Sequence, residues 1–566
     1  MRESNVIRRL IEPSLADVLA AIEATPDLTD PHRCHWTCSL RFIAKELGKP
    51  PELLSARWTA LRQPVSRLHH VQMGVTAKTL ANHKANVRAA LRWFADEENL
   101  PSRGAPLRAD WARLRDGIAH QRTRAQLTSP IRFWSARGAA PEAVDESALD
   151  ACMAYRAATT ALKADAAARR RIARAWNRCV GVVPGWPPQK LIEPPPKCTL
   201  AGPAWEEFPQ GLRHDIESYL ARLSQVRRTQ GGKRLAPCKP STIKVRKAKL
   251  VAFVRKAVSL GVPIDNLASL ADLLNPELAE RVVDTYWQDS GEEPSIYLIE
   301  LSSLLLGIAR ATHCLNEAAI ARLDDMRAAL EEHRPEGLTE KNMVVVRQVL
   351  TSNVWSLVVK LPWQLMCEAD ATRDRASVKA AGLAQLAVAI AILSVFPVRL
   401  GNLGTIRIGE NLIRPGGPGT PYWLVFSRYD VKNRIRLETV FDADVAELID
   451  NYINNHLHVL LRGANEPWLF PGTNGGHKGL ATLSSQITKR IEKATGLFIT
   501  VHQFRHAAAA LILWAKPGNY EYVRRILGHR NIQTTINFYI GLETALATKE
   551  FGEIVRDRLR FDPEAA

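Results

Sequence analysis

The feature that most constrains the fold is a stretch between Lys379 and Arg399 that contains no charged residue. Its centre, LAVAIAIL at 386–393, belongs to an apolar run that approaches the roughly 20 residues a membrane-spanning helix needs. Gln385 and Pro397 interrupt the run, and helices that are apolar all round also occur at the centre of large soluble domains. We therefore predict a buried core helix and no association with a membrane.

A second constraint is a proline-rich stretch, with eight prolines from Pro184 to Pro209. Proline fixes φ and lacks an amide donor, so regular structure is disfavoured there. A weaker boundary lies near 331–337, where a charged segment ends a helical pattern. The length suggests about three or four domains. The predicted division is an N-terminal helical domain at 1–180, a linker at 181–212, a helical domain at 213–335 and a further domain at 341–566.

Charge points to a polyanionic partner. The chain of 566 residues has 76 Lys and Arg against 58 Asp and Glu, a formal net charge of +18. In a cytoplasmic protein, clustered positive charge most often serves nucleic acid, which is bound by neutralising its phosphates. The eight cysteines are scattered, which favours a reducing cytoplasm over a disulfide framework.

Two segments share one apolar spacing, the first after Thr79 and the second after Thr242. The spacing is that of amphipathic helices, and the polar face of each is basic. Any solvated helix has a polar face, but these two are also suited to lie along a DNA backbone. The candidate DNA-binding residues are Lys84, Arg88 and Arg92 in the first helix and Lys244, Arg246, Lys247 and Lys249 in the second.

The last region has a different pattern. Aromatic and β-branched residues at 422–426 and 435–441 flank the polar segment 430–434, which predicts a β-hairpin. Helical patterns surround the hairpin, so the fold class is mainly α with a small antiparallel sheet. The helical patterns lie at 383–393, 445–460, 480–494, 504–514 and 520–527.

Several polar residues of this region could act on a phosphodiester. Arg399 follows the apolar helix, and Lys432 lies in the predicted hairpin turn. His502 and Arg505 share one helix face, where they could grip an anion. His502 and His506 also have a spacing that fits a metal, but no Cys, Asp or Glu close in sequence completes such a site. Phosphate is therefore the preferred ligand.

A second pair of candidates follows Gly528, which is a predicted helix terminus. Gly528 leaves His529 on a turn, and Tyr539 follows at the end of a short predicted helix. Each of these residues, taken alone, is more often structural: a tyrosine, for example, is normally a half-buried packing residue. Their order along the chain changes that interpretation.

Together these residues resemble the tyrosine recombinases, also called phage-type integrases. The resemblance covers about 341–550, and the helices after Thr79 and Thr242 are similar to the family's core-binding helices. It implies helical DNA-clamping domains followed by a tyrosine-recombinase-like catalytic domain. The residues that carry it are Arg399, Lys432, His502-x-x-Arg505, Leu-Gly-His529 and Tyr539.

Two features depart from the family pattern. Asn402 stands where many members have an acidic residue, and Tyr539 lies ten residues after His529, where nine is frequent. Asn402 would occupy a supporting position. No other tyrosine lies between His529 and Tyr539, so neither departure removes a catalytic group.

The resemblance implies a mechanism without ATP. Arg399 and Arg505 bind the non-bridging oxygens of the scissile phosphate and neutralise the charge that grows in the transition state. Tyr539 attacks phosphorus and forms a 3′-phosphotyrosyl link, which keeps the bond energy for rejoining.

The remaining roles concern protons. His502 is the candidate base for the phenol, whose ordinary pKa is about 10. Lys432 protonates the departing 5′ oxygen, and His529 donates a hydrogen bond to the phosphate. Neither a metal nor another cofactor is expected, because the arginines stabilise the charge.

The leading hypothesis is a site-specific DNA recombinase or integrase, serving a mobile element in the cytoplasm at the nucleoid. It would act as a homo-tetramer on paired duplexes, with accessory proteins as further candidate partners. The alternatives are a type IB-like topoisomerase and a non-catalytic DNA-binding accessory protein. Two points stay open: whether the tail at 540–560 packs in cis or on a neighbour, and whether residues 1–180 bind DNA or hold subunits together.

Overall fold

The structure is a computed structural model that describes residues 13–560 except 96–105, 161–162, 196–201, 229–231, 233, 292–294, 336, 352, 463–466 and 474. The chain divides into two compact units. One is Pro196–Glu336, and the other combines Met1–Pro195 with Gly337–Ala566. Both are mainly helical and contain a small antiparallel sheet, which confirms the predicted fold class.

Residues 13–195 fold around two hydrophobic clusters. The first surrounds Leu40 and Val87. The second surrounds three buried tryptophans, Trp111, Trp134 and Trp176, whose rings pack with centroids 5.6 to 6.4 Å apart. The helices are α1 (Leu15–Ala24), α2 (Asp30–Glu46), α3 (Trp58–Arg67), α4 (Ala77–Phe94), α5 (Ala109–Asp116), α6 (Gln121–Ala136), α7 (Glu146–Thr159) and α8 (Ala166–Asn177).

Part of the predicted linker at 181–212 packs against the domain that precedes it, and its last residues are helical. Trp186 and Leu191 are buried in the second cluster, and a helix already begins at Gln210. Prolines oppose helices and strands, but they do not prevent apolar side chains between them from packing. Residues 196–201 of this stretch lie outside the described residues.

The unit Pro196–Glu336 has its own core around Phe253 and Leu305. The basic helix predicted after Thr242 begins at Pro240, where proline suits the first helical turn because its missing amide would be unpaired there anyway. The elements are α9 (Gln210–Leu223), β1 (Arg227–Arg228), β2 (Arg234–Leu235), α10 (Pro240–Ser259), α11 (Leu270–Leu273), α12 (Pro276–Asp289), α13 (Ile296–Thr312) and α14 (Glu317–Glu332).

The apolar helix is the centre of residues 337–560. It spans Ser377–Val395 and is long and apolar enough to cross a membrane, but every residue from Gln385 to Leu393 is buried inside the protein. The elements are α15 (Glu340–Thr351), α16 (Val354–Thr372), α17 (Ser377–Val395), α18 (Leu400–Gly404), β3 (Leu412–Ile413), β4 (Trp423–Phe426), β5 (Leu437–Val440), α19 (Ala443–Asn455), α20 (Leu457–Leu461), α21 (Leu480–Thr495), α22 (Gln503–Ala515), α23 (Tyr520–Leu527) and α24 (Ile532–Arg560).

The sheet β3–β4–β5 is antiparallel and contains the predicted hairpin. In that hairpin Trp423 pairs with Val440, and Phe426 pairs with Leu437. Phe426 and Leu437 are buried, whereas Trp423 and Val440 are exposed, so the alternation fixes which face covers the core. The connection between β4 and β5 carries Lys432.

Helix α24 differs from the prediction. A short helix ending at Tyr539 and a separate tail helix were expected, but the structure has one helix of 29 residues, Ile532–Arg560. The segment 540–560 contains no proline, and its commonest residues are Leu, Glu and Arg, which are good helix formers. Gly541 and Gly552 weaken the helix without ending it.

Candidate active site

Arg399 caps the amino end of α18, immediately after the buried helix α17 and its connection. Its side chain is half-buried, and this burial lowers the pKa of Arg399. Within the described part of the chain its buried Nη1 has no hydrogen-bond partner. A buried guanidinium with an unused donor is suited to receive an anion.

Arg505 lies on α22 and is 3% exposed. Its Nη1 donates to the carbonyl of Pro397 at 2.9 Å, and its Nη2 donates to the carbonyl of Leu527. Burial, followed by the charge of Arg399, lowers the pKa of Arg505 to about 10. The two hydrogen bonds hold this guanidinium between the segment before Arg399 and the carboxyl end of α23.

His502 immediately precedes α22 and retains an exposed edge. Partial burial, together with the charges of Arg505, Arg399 and Lys432, lowers the pKa of His502. Lys432 itself is exposed on the turn between β4 and β5. Since the charges of all three act on one imidazole, the structure brings these predicted residues together.

His529 is placed by Gly528, which has φ of +58° at the end of α23. The His529 amide donates to the Arg524 carbonyl at 3.0 Å, and Nδ1 lies 2.9 Å from the hydroxyl of Thr535. Burial, and then the charges of Arg505 and the other nearby arginines, lower the pKa of His529 to about 4. His529 is thus a neutral member of the same cluster near pH 7.

Tyr539 lies in the first turns of α24 and is 2% exposed. Its ring packs in a cluster with Leu513 and Leu527, and its hydroxyl lies 2.9 Å from Nδ1 of His506. Burial raises the pKa of Tyr539, while the charge of Arg505 opposes that rise. At this exposure the hydroxyl cannot touch a phosphate outside the protein, so the site is closed over its tyrosine.

Sequence reasoning missed His506 and Asn433 and predicted only a supporting position for Asn402. His506 directly contacts the tyrosine, although the sequence suggested only a rejected metal role for it. Asn402 donates to the carbonyl of Asp430 at 3.3 Å, and Asn433 donates to the carbonyl of Gly528 at 2.8 Å. Both asparagines tie the turn of Lys432 to the rest of the site. The one feature of the sequence that could have pointed to the two asparagines is that Asn402 lies near Arg399 and Asn433 lies next to Lys432.

The basic residues predicted on α4 are partly packed. Lys84 donates to the carbonyl of Leu68 at 2.8 Å, and burial lowers its pKa. The Arg88 guanidinium lies over the Trp58 ring, 5.5 Å from its centroid, and Arg92 is half-buried. A sequence pattern does not show which polar side chains of a helix turn inward. DNA contact by α4 stays a prediction.

On α10 the same pattern has intramolecular partners. Lys244 is exposed, but the other three predicted residues each contact a side chain of their own unit. DNA contact by this helix also stays a prediction. The contacts are Arg246 Nη1 to Tyr219 Oη at 2.9 Å, Lys247 Nζ to Glu217 at 3.5 Å and Lys249 Nζ to Glu300 at 2.6 Å.

Residues around the candidate site were compared with known protein families. Residues 400–545 match the phage integrase family. The matched part of the chain contains Lys432, His502, Arg505, His529 and Tyr539 and is similar to that family. No curated protein matches the chain.

Solved structures similar to the chain include recombinases captured with DNA. One is the XerH site-specific recombinase in a post-cleavage complex with its palindromic difH substrate (13% identity, 59% of this chain and 94% of that chain covered, TM-score 0.32). A second is a lambda integrase tetramer bound to a Holliday junction (16% identity, 56% of this chain and 77% of that chain covered, TM-score 0.32). A third is the Tn1549 transposon integrase with circular intermediate DNA (13% identity, 57% of this chain and 93% of that chain covered, TM-score 0.29). The similarity to the phage integrase family is a match in sequence, limited to residues 400–545.

We expect Gly528→Ala to destabilise the catalytic region and to displace His529. A left-handed backbone costs a residue with a Cβ about 1 kcal/mol, and the new Cβ would also lie 2.7 Å from Cδ2 of Leu437. The free energy of unfolding should fall by about 1 to 3 kcal/mol in denaturant titrations. Gly476→Ala is the control, because Gly476 has φ of +68° in open space. Equal losses for both variants would contradict the packing contribution of Leu437.

Proposed function

We propose that the chain is a site-specific DNA recombinase that cuts and rejoins DNA through Tyr539. The observation that carries the proposal is a cluster of buried cations around a tyrosine. Within the described ranges neither Arg399 nor Arg505 has a carboxylate partner, although both guanidiniums are substantially buried. Burying unpaired charge is costly, so such a cluster is expected to serve an anion. A DNA phosphodiester supplies one, and the net charge of +18 favours that partner.

The arginines stabilise the transition state. As the tyrosine oxygen attacks, negative charge grows on the non-bridging oxygens, which accept hydrogen bonds from Arg399 and Arg505. The Tyr539 Oη–P bond forms and the P–O5′ bond breaks, which leaves a 3′-phosphotyrosyl link. Attack by a 5′ hydroxyl from a second duplex reverses these bond changes and completes strand exchange.

Two further residues complete the phosphate site. Lys432 protonates the leaving O5′, consistent with its exposed position close to His502. The Thr535 hydroxyl lies next to Nδ1 of His529 and leaves Nε2 for the phosphate. When Thr535 donates to Nδ1, the ring proton is on Nε2, which then donates to the phosphate. The bound anion also offsets the positive charges that, with burial, lower the pKa values of the histidines.

The same proposal requires the site to open. Tyr539 is 2% exposed, and attack on a duplex requires its hydroxyl to reach a phosphate. Binding of DNA therefore has to be accompanied by a shift of α24 or of the side chains that cover the hydroxyl. The proposed trigger is the phosphate itself, since it is the missing counter-ion of the cluster.

A tetramer on paired duplexes is the assembly we propose. The carboxyl-terminal part of α24 exposes Phe551, Ile554 and Val555, with Phe551 65% exposed. These positions follow i, i+3, i+4 spacing and so share one helix face. We propose that this tail packs in trans on a neighbouring subunit, because three apolar side chains on one exposed face are suited to burial against a partner.

The biological role that fits this chemistry is movement of a mobile element by integration, excision or transposition. The enzyme would work on DNA in the cytoplasm at the nucleoid, with accessory proteins as further candidate partners. Residues 1–180 are assigned to DNA clamping or subunit contact.

The decisive experiment is covalent capture. Nicked duplexes spanning the ends of the protein's own genetic element are incubated with wild-type protein, Tyr539→Phe and the control Tyr522→Phe, whose tyrosine is 60% exposed. After denaturation, we expect protein-linked DNA with wild type and Tyr522→Phe only, because the phenylalanine lacks the attacking oxygen.

Two other outcomes are informative. Binding of the duplexes without any adduct would favour the accessory-protein alternative. An adduct together with relaxation of supercoils, but no exchange between paired sites, would favour the topoisomerase alternative.

Lys432 can be tested as the general acid with a modified substrate. Lys432→Ala should slow cleavage of ordinary DNA by about 10² to 10⁴-fold. A substrate whose bridging 5′ oxygen is replaced by sulfur should restore the rate, because a thiolate leaves without a proton (thiol pKa about 8.5). Arg399→Ala is the control and should stay slow on both substrates. An unrescued Lys432→Ala would assign the proton donor elsewhere.

The tail proposal predicts a defect in assembly alone. Phe551→Asp combined with Ile554→Asp should leave binding to a single site unchanged and weaken the two-duplex complex by about 100-fold or more, since each apolar side chain contributes about 1.5 to 3 kcal/mol when buried. Mass photometry of the paired-site complex measures this. Glu553→Gln on the opposite face is the control. An unchanged assembly constant would place the tail in cis.

A further inference from the structure

His506 is a buried titratable residue that the proposed mechanism does not use. It lies on α22 next to Arg505 and is 7% exposed. Its Nδ1 is 2.9 Å from the hydroxyl of Tyr539, and among the described residues His506 is the hydrogen-bond partner of that hydroxyl. Two buried groups that satisfy each other in this way form a specific contact.

The direction of this hydrogen bond follows from the ionisation of its partners. Burial, and then the charges of His502, Arg505 and His529, lower the pKa of His506 to about 4. Burial raises the pKa of Tyr539. Near pH 7 both groups are therefore neutral, and the phenol keeps its proton. Nδ1 of His506 is the acceptor that the described residues offer this buried hydroxyl, so the hydroxyl donates to the lone pair of Nδ1. The imidazole proton is then on Nε2.

His502 is less well placed to be the direct base. Its ring lies perpendicular to that of His506 with centroids 5.1 Å apart, and it makes no side-chain hydrogen bond to another described residue. The charges of Arg399 and Lys432 act on it, and it retains an exposed edge. This position favours contact with the phosphate.

We propose that His506 is the catalytic residue that accepts the proton of Tyr539 through Nδ1 during attack. This inference rests on the proposed recombinase function and assigns one step within it. The Tyr539 O–H bond breaks and its proton moves to Nδ1, which gives an imidazolium. The oxygen electron pair forms the bond to phosphorus, the P–O5′ bond breaks, and Lys432 supplies the proton for O5′.

The charges around His506 explain why this transfer waits for DNA. The titratable groups that act on it, His502, Arg505 and His529, are all bases, and each disfavours an imidazolium. A phosphate held by Arg399 and Arg505 adds a negative charge close to the same imidazole. Proton transfer becomes more favourable only when that anion is bound.

The test uses two variants of His506. His506→Asn places an amide oxygen near the position of Nδ1, so it still accepts a hydrogen bond but does not take up a proton at neutral pH. His506→Ala removes both properties. With the nicked duplex used for covalent capture, we expect both variants to bind DNA and to form the Tyr539 adduct about 100-fold or more slowly than wild type.

A second substitution separates proton transfer from packing. Incorporation of 2,3-difluorotyrosine at 539 lowers the pKa of the phenol and nearly preserves its shape. It should restore at least tenfold of the rate lost in His506→Asn and shift the lower limb of the pH–rate profile. A residue that only packs against the ring would give no such rescue.

The outcomes are distinct. Slow adduct formation by His506→Asn with rescue by the fluorinated tyrosine supports the proposal. A wild-type rate for His506→Asn, or a slow rate without rescue, overturns it and returns the role of base to His502. If wild type forms no adduct, or Tyr539→Phe forms one, the proposed function itself has failed.

Discussion

The arrangement of the site depends on how one buried guanidinium is held. Arg505 donates to the carbonyls of Pro397 and Leu527, which lie 108 and 22 residues away in the chain. Hydrogen bonds from charged donors contribute about 1.5 to 3 kcal/mol each. The first fixes the segment that leads into Arg399, and the second fixes the end of α23 just before Gly528. The phosphate-binding groups are thereby positioned by the same side chain that is proposed to bind the phosphate.

The electrostatics of the site are unbalanced in the absence of a ligand. Arg399 has an unused buried donor, and the pKa values of His506 and His529 are lowered to about 4. A protein tolerates such a cluster because the rest of the fold supplies the stability that the cluster costs. Binding of the proposed phosphate would recover part of that cost, because the anion would pair with cations that are already oriented.

The parts of the structure that depend on the local sequence pattern could be predicted from the sequence. The hairpin follows from β-branched alternation, and the burial of α17 follows from the absence of charged residues after Lys379. The six candidate site residues were predicted from their order along the chain, and their roles stay a prediction. The structure brings these side chains close together. The inward turn of Lys84 and the packing of Trp186 were not predictable, because each depends on contacts with residues distant in sequence.

The contact between His506 and Tyr539 could not be predicted from the sequence either. Its position beside Arg505 suggested only a metal ligand, because a helix pattern does not reveal what the neighbouring element presents to it. Its partner Tyr539 lies 33 residues away on α24. Only the packing of α24 on α22 makes their contact visible. The unbroken course of α24 was likewise missed: Gly541, two residues after Tyr539, is compatible with the end of a helix, but the helix continues through it.

Because α24 is one continuous helix, a displacement of one end is transmitted to the other end. Tyr539 and Phe551 lie on one helix, twelve residues and about 18 Å apart. A rigid rod cannot move at one end without moving at the other. Capture of the distal end by another molecule would therefore rotate or translate the phenol. If Tyr539 is the nucleophile, as proposed, its position would then depend on whether the end of α24 is bound.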